Sequence, residues 1–401
     1  MTTFTTRTTC RSCGGAALDP ILSLGDTPLA NALADDADAP DERFPLDLVV
    51  CRDCTLVQIT GDVPPETLFR NYVYFTSFSD TALENARSIA ERLIAERRLG
   101  ADSLVIEIAS NDGYLLQHYL ARGVKVLGIE PARNIAEAAR KKGIETIDEF
   151  FTRELAGTLA RSADVIHANN VLAHVAYLNG FVDGIGLVLK DGGVASIEVP
   201  YVRDLVEKLE FDTIYHEHLC YFSVTALDAL FARHGLTIGE VERIPIHGGS
   251  LRVFAGRGMP RGESVQRLLD EEAASPGAYH RFGGRVRALR DELRAALARL
   301  KAGGKHIAAY GASAKGTTLL SFTGIGAETL DFVADRSTVK QGKFTPGTRL
   351  PIVAPEELVA RMPDYVLLLS WNFAEEILGQ QQEYRARGGR FIIPVPEVRI
   401  V

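Results

Sequence analysis

At 401 residues, with 46% hydrophobic and 24% charged residues, the chain has a globular composition and length for two or three domains with sizeable cores. Its net charge of −8 argues against a nucleic-acid backbone as partner, although a local phosphate site is compatible with it. No run approaches the roughly 20 apolar residues of a membrane span, and the Met-Thr-Thr-Phe-Thr-Thr-Arg start lacks a signal peptide's apolar core, so no membrane partner and a cytoplasmic location are expected.

Four of the five cysteines fall in Cys10-Arg-Ser-Cys13 and Cys51-Arg-Asp-Cys54. Two such knuckles can bring four thiolates round one Zn²⁺, whose preferred geometry is tetrahedral. The alternatives are two disulfides or a redox pair. A reducing compartment disfavours the first, and a redox motif needs only one knuckle. Four protein ligands leave no open position, so the zinc is expected to be structural. The acidic stretch from Asp35 to Asp41 reads as a surface loop.

The stretch from Leu68 to Ser79, with Tyr72 and Tyr74 among its aromatics, is either a hinge that packs two domains together or a source of a hydroxyl over the active site. A helix over about 81–97 leads to the segment on which the chain is organised, Val105-Ile-Glu107-Ile-Ala109-Ser-Asn111-Asp-Gly113-Tyr114. An apolar strand ends here at small residues and Gly113-Tyr114-Leu115-Leu116 opens a helix, a turn that lets a ligand approach the backbone. The next strand ends on Glu130, where α/β nucleotide folds grip a ribose diol. Because Glu107-x-Ala109-x-x-x-Gly113 is not the glycine pattern of a dinucleotide site, the expected cofactor is S-adenosylmethionine (SAM). The third strand ends near 145–151, where Asp148, Glu149 or Phe150 can face an adenine. The fourth ends on Asn169, Asn170 and His174, at the ligand-binding edge of an open α/β sheet. A glycine turn at Gly192-Gly193, prone to form a hairpin, precedes a buried strand.

The densest chemistry is Phe211-Asp-Thr-Ile-Tyr215-His216-Glu217-His218-Leu-Cys220. Its histidine spacing is poor for a metal. A histidine titrating near neutrality beside a carboxylate is good acid–base equipment, and a structural polar cluster is the alternative. Cys220 reads as simply buried. Ile246-His247-Gly-Gly-Ser-Leu-Arg252 is a glycine turn into a strand, able to hold an anion through its amides and Arg252 or to be a plain turn. A charged helical linker over 264–300 leads to Tyr310-Gly311-Ala-Ser313-Ala-Lys315-Gly316, again strand, turn and helix, in a second Rossmann-like unit with further strands near 330–335, 365–370 and 390–394.

In this order, these segments resemble the sugar C-methyltransferases of deoxysugar biosynthesis. The matching residues are Cys10-x-x-Cys13 with Cys51-x-x-Cys54, Tyr72-Val-Tyr74, Glu107 to Gly113, Asn169 to His174, Tyr215-His-Glu-His218, His247 to Arg252 and Tyr310 to Gly316. The resemblance implies an α/β chain with an N-terminal zinc-binding domain (1–75), a central class I SAM-methyltransferase doubly wound sheet (76–255), and a helical linker with a C-terminal Rossmann-like domain (256–401). It implies C-methylation of a dTDP-linked 4-keto deoxysugar at C3, with His218 as base and Glu217, Tyr215, Tyr72 and His174 around the substrate. Tyr74 is an alternative to Tyr72. The Ala109–Gly113 turn, with Glu107, Asn111 and Tyr114, would hold the amino-acid end of SAM. Glu130 would hold its ribose, Phe150 its adenine, and Asn169 and Asn170 would line the methyl-donor side. Tyr310, Ser313 and Lys315 would contact the diphosphate or base. Ala109 departs from the expected glycine, which is tolerable if its φ stays negative. An NAD(P)-dependent sugar-nucleotide oxidoreductase, a zinc-dependent assembly protein and a SAM enzyme acting on a non-sugar keto substrate remain alternatives. The oligomeric state stays open, a monomer being compatible.

Overall fold

The computed structural model describes residues 3–69, 75–246, 248–275 and 277–401. Near-continuous apolar runs become the central strands because a parallel sheet is covered on both faces. Leu104–Ile108, Lys125–Ile129 and Ala163–Asn169 are buried along almost their whole length. They join Thr146–Ile147, Leu189–Pro200, Thr237–Ile244 and Ser250–Gly256 in a seven-stranded sheet. Counted along the chain, the strand order is 3-2-1-4-5-7-6, with Ser250–Gly256 antiparallel to both neighbours. This is the class I methyltransferase sheet. Its chain reversal falls between Leu104–Ile108 and Ala163–Asn169, so a ligand crevice opens beyond Ile108 and Asn169.

The N-terminal strands Leu18–Pro28, Arg43–Cys51 and Val57–Ile59 form an antiparallel sheet, and its fourth strand comes from far along the chain. Cys220–Tyr221 pairs with Val57 and Gln58, the Ile59 amide donates to the Leu219 carbonyl, and the Leu219 amide donates to the Ala173 carbonyl at 2.7 Å. The 215–222 segment is thereby stitched into the N-terminal sheet on one side and to the tip of the fourth central strand on the other. In the C-terminal region, Ile307–Tyr310, Val333–Ala334, Ile352–Val353, Tyr365–Leu368 and Arg390–Ile393 run parallel in the order 3-2-1-4-5, closed by antiparallel Arg399–Ile400. The helix Ala314–Thr323 docks this sheet on the others. Thr317 Oγ1 donates to the Ala30 carbonyl and Thr318 Oγ1 to the Ile214 carbonyl. One buried apolar cluster includes Leu22, Val57, Ile166, Phe211, Leu319 and Ile392, so the three sheets share a core.

Several local expectations need correction. The helix expected over 81–97 is Asp80–Arg97, with Ser79 as its cap. The third strand is short, Thr146–Ile147. Gly192-Gly193 makes no hairpin; both lie inside the single strand Leu189–Pro200, where the register shifts between Leu189 and Val194. The helical linker is two helices, Glu263–Ala273 and Ala278–Ala302, separated at Gly277 with φ +74°. The Asp35–Asp41 loop is largely exposed, and Asp35 and Asp41 pair with Lys343 and Arg349 of the C-terminal region.

Arg252 does not serve an anion. Its guanidinium is buried against Glu198, with Nε 2.8 Å from Oε1, and also reaches Asn85 Oδ1 and Glu242. The adjoining Gly248 and Gly249 pack against the carboxyl groups of Glu210 and Asp204, and Arg243 and Lys208 pair with Asp204. Breaking a buried pair leaves an uncompensated charge, so Arg252→Ala should lower stability by about 3 kcal/mol. Urea denaturation checks this; a loss under about 1 kcal/mol would contradict a structural role.

Candidate active site

The four knuckle thiols converge. The Sγ atoms of Cys10 and Cys54 are 3.5 Å apart, as are those of Cys13 and Cys51, and all four lie within 4.8 Å of one another. None is in a disulfide. A tetrahedron with zinc–sulfur bonds near 2.3 Å has edges of about 3.8 Å, so the donor set fits zinc with no position left for substrate. The Ser12 amide donates to Cys10 Sγ at 3.4 Å, the kind of support that keeps a thiolate in place. Asn179 Nδ2 donates to the carbonyls of Arg11 and Ser12, which fastens the first knuckle to the methyltransferase sheet's helix Leu178–Val188.

The second centre is the turn after Leu104–Ile108. Ala109, Asn111 and Gly113 all have positive φ, at +55°, +48° and +77°. Ala109 therefore does not keep the negative φ on which its tolerance was expected to rest; the turn holds it in the left-handed region at some cost. Gly113 is compulsory, because a Cβ there would lie 2.1 Å from Ile144 Cδ1. Asn111 turns its Oδ1 to the Thr76 amide at 2.9 Å, and Asp112 accepts from Ser77 and from Lys142, so the Thr76–Phe78 turn is laid over this loop. Glu130 accepts from the amides of Asn111 and Ala132, at 3.0 and 2.9 Å, and each oxygen keeps a lone pair.

Glu107 is 1% exposed, and neither carboxyl oxygen has a hydrogen-bond partner among the described residues. Burial pushes its pKa well above the usual carboxylate range. The carboxyls of Glu130, Glu198 and Asp112 add to the push, and the Tyr114 hydroxyl opposes it from nearby without the geometry of a formed hydrogen bond. Asn169 Oδ1 is likewise buried without a partner, while its Nδ2 lies 3.5 Å from Tyr114 Oη. Buried polar atoms left unsatisfied call for a missing partner, and these surround one crevice. A ligand with an amino-acid cation and a ribose fits them, which matches SAM. Asn170, also at positive φ, hydrogen-bonds through its amide to the Glu198 carbonyl, and Phe150 is half-buried beyond the third strand.

The histidine cluster adjoins this crevice through residues 169–174. His218 Nδ1 is 2.8 Å from the Thr213 carbonyl, so Nδ1 carries the proton and Nε2 a lone pair, 3.0 Å from the Tyr215 hydroxyl. The Tyr215 and His218 rings are 4.2 Å apart, and the His174 ring lies 4.7 Å from that of His218. His174 Nδ1 donates to the Glu217 carbonyl at 2.7 Å, and burial pulls its pKa down to about 4, so it is neutral at physiological pH. Glu217 is 5% exposed and pushed up to about 7 by burial, with Asn31 opposing. His216 faces away, with Nε2 3.2 Å from the Pro45 carbonyl and its ring among Phe4 and Phe44. The motif thus divides by side. His218 belongs to the cluster, Glu217 joins it through its backbone carbonyl while its carboxyl meets Asn31, and His216 belongs to the N-terminal packing.

The structure brings His218, Glu217, Tyr215 and His174 together, and gathers Glu107, Ala109, Asn111, Gly113, Tyr114, Glu130, Asn169 and Asn170 round the crevice. Tyr72 and Tyr74 lie outside the described residues. Phe69 packs edge-on against His174. Sequence reading missed Asn31, whose Nδ2 donates to Glu217 Oε1 at 2.7 Å, and the Thr213 carbonyl that fixes the His218 tautomer. A lone asparagine in a turn and a backbone carbonyl carry no sequence signal. Ser313 Oγ caps its own helix at the Gly316 amide, and the Lys315 ammonium sits 4.5 Å over the Trp371 ring, whose Nε1 donates to Asp212. Ser313 is thus engaged within its own helix, whereas the Lys315 Nζ is buried with no hydrogen-bond partner among the described residues. Cys220 is buried, and burial pushes its thiol up to about 12.

Purified protein should carry about one zinc per chain, and Cys13→Ser should lose it together with several degrees of Tm. Metal analysis and a thermal melt check this; a zinc-free chain with unchanged Tm would contradict a structural metal.

Comparison with known proteins agrees with this architecture. A zinc binding domain model matches residues 10–69, a methyltransferase domain model 81–241, and a C-methyltransferase C-terminal domain model 245–396. The C-methyltransferase NovU of Streptomyces niveus is 37% identical over 404 residues, covering 98% of this chain and 96% of NovU. An uncharacterized methyltransferase of Alkaliphilus oremlandii (strain OhILAs) is 33% identical over 125 residues, 28% of this chain and 56% of that one. Among solved structures, the PH0226 protein of Pyrococcus horikoshii OT3 aligns at 14% identity with a TM-score of 0.38, over 46% of this chain and 94% of that one. The oxidoreductase and assembly-protein alternatives give way to this relationship. The chain belongs to the family of SAM-dependent C-methyltransferases that includes NovU, and it joins a zinc-binding N-terminal domain and a methyltransferase domain to a C-methyltransferase C-terminal domain.

Proposed function

We propose that the enzyme methylates a dTDP-linked 4-keto deoxysugar at a carbon beside the ketone, with His218 as general base. The observation that carries this reading is the fixed tautomer of His218. Its Nδ1–H is committed to the Thr213 carbonyl, so the Nε2 lone pair faces the cluster. A ketone acidifies its neighbouring C–H, and a neutral imidazole within reach can take that proton. The Tyr215 O–H points at Nε2. Its rotation toward the developing enolate oxygen frees the lone pair and supplies an oxyanion donor in the same movement. His174, neutral and alongside, keeps its Nδ1–H on the Glu217 carbonyl and packs its ring against that of His218, and the resemblance adds Tyr72 to the group.

SAM, when bound, supplies a methyl made electrophilic by its sulfonium. For the cofactor, the orphaned Glu107 carboxyl and the Ala109–Gly113 turn would hold the amino-acid end, Asn111 and Tyr114 included. Glu130 would hold the ribose and Phe150 the adenine, while Asn169 and Asn170 line the side facing His174. The sugar nucleotide would reach this point between the methyltransferase sheet and the C-terminal sheet, past Lys315 and Trp371. A cytoplasmic setting is part of the reading, supported by five cysteines without a disulfide.

The resemblance favours C3, but C5 flanks the same ketone and is equally acidified, so product position belongs to the test. Incubation with methyl-labelled SAM and a panel of dTDP-4-keto deoxysugars should yield a C3-methylated product by NMR. A methyl at C5 would overturn the position alone; transfer only to a non-sugar keto acid would overturn the sugar. His218→Ala should lower kcat roughly 10²- to 10⁴-fold with SAH affinity nearly intact. Unchanged turnover would remove His218 from the role of base.

A further inference from the structure

The Glu217 carboxyl is almost fully buried, the residue's backbone carbonyl accepts from His174, and among the described residues its carboxyl takes one side-chain hydrogen bond, from a residue 186 positions away in the chain. Asn31 sits in the turn that follows Leu18–Pro28, so it belongs to the zinc-bearing region rather than to the methyltransferase sheet. Its backbone is held from behind. The preceding carbonyl, Ala30, accepts from Thr317 of the C-terminal helix at 2.9 Å, and its own carbonyl accepts from the Leu33 amide at 2.9 Å. The backbone that carries the side chain is thus held by one contact from the C-terminal helix and one within its own turn.

We propose that Asn31 is a positioning residue of the active site: its Nδ2–H holds Glu217 in one orientation and favours its ionised form, so that the zinc-bearing region contributes a side chain to the chemistry. The inference rests on Glu217 belonging to the catalytic cluster. Burial alone drives a carboxyl toward its neutral form, and a donor on its oxygen works the other way. Both influences act on Glu217, which ends at about 7, where a small push changes its charge. Of the titratable groups around it, His174 is neutral through its own burial and His216 is turned to Pro45. His218 adjoins it in the chain. Among the described residues no lysine or arginine forms an ion pair with Glu217, which leaves Asn31 as the group that offsets its burial.

The test uses the full-length zinc-loaded enzyme, labelled with ¹³C at the glutamate carboxyls, with the Glu217 resonance assigned by Glu217→Gln. Its titration is followed by NMR alongside the pH dependence of kcat in wild type, Asn31→Ala and Asn31→Asp. Losing a donor to a carboxylate raises its pKa. Asn31→Ala should therefore move the Glu217 midpoint, and the limb of the kcat profile that it governs, up by about one pH unit. Asn31→Asp, which places a second carboxylate there, should move both further. SAH affinity should stay unchanged, which a general loss of folding would not allow. A Glu217 midpoint unmoved in both variants would overturn the inference. A midpoint that moves while the kcat profile does not would leave the contact standing and overturn Glu217's place in catalysis.

Discussion

The two-residue pairing of Cys220–Tyr221 with Val57 and Gln58 is the constraint on which the site depends. It begins three residues after the second zinc knuckle ends at Cys54, and two residues after His218. A short peripheral pairing of this kind has little stability of its own. It holds because Val57–Ile59 is fully buried and fixed to Arg43–Cys51, and because the Leu219 amide is taken by the Ala173 carbonyl. The cysteine cluster thereby sits one strand away from His218, the proposed base. A zinc with no open coordination position would, on the proposed function, still serve catalysis by fixing the edge against which the 215–222 segment is laid.

Burial of charge shapes the other half of the site. Glu198 and Arg252 neutralise each other in the sheet interior, and Arg252 reaches on to Asn85 and Glu242. Glu107, two strands along from Glu198, has no such partner among the described residues. Two buried carboxyls a few residues from one edge thus have different tasks. One is satisfied inside the protein, and the other is left to a ligand. The strained turn at Ala109, Asn111 and Gly113 adds to that second task, since backbone held in the left-handed region persists where the surroundings dictate it.

Much of this was legible in the chain. The four cysteines declare themselves by spacing, and the strand–turn–helix at Glu107–Gly113 by an apolar run that ends in small residues. The cluster at Tyr215–His218 stood out by its density of titratable groups. What stayed hidden was set by tertiary contact. Arg252 looked like an anion ligand because a sequence does not show that Glu198 lies across the sheet from it. Gly192-Gly193 looked like a hairpin because a bulge inside a long strand has the same local composition. His216 and His218 are indistinguishable in one dimension, and only the fold sends one to Pro45 and the other to Thr213 and Tyr215. Asn31 carried no pattern, since its partner is supplied by a segment that crosses from one sheet to another.

The most direct test of this account is hydrogen exchange on the enzyme before and after zinc is stripped by a chelator, read at residues 215–222 and at the Leu104–Ile108 strand, with SAH titrated into both forms. The account predicts that 215–222 loses protection together with Val57–Ile59, while Leu104–Ile108 stays protected and SAH still binds. Protection of 215–222 that survives zinc removal unchanged, while Val57–Ile59 opens, would contradict the dependence of the catalytic segment on the zinc-bearing sheet.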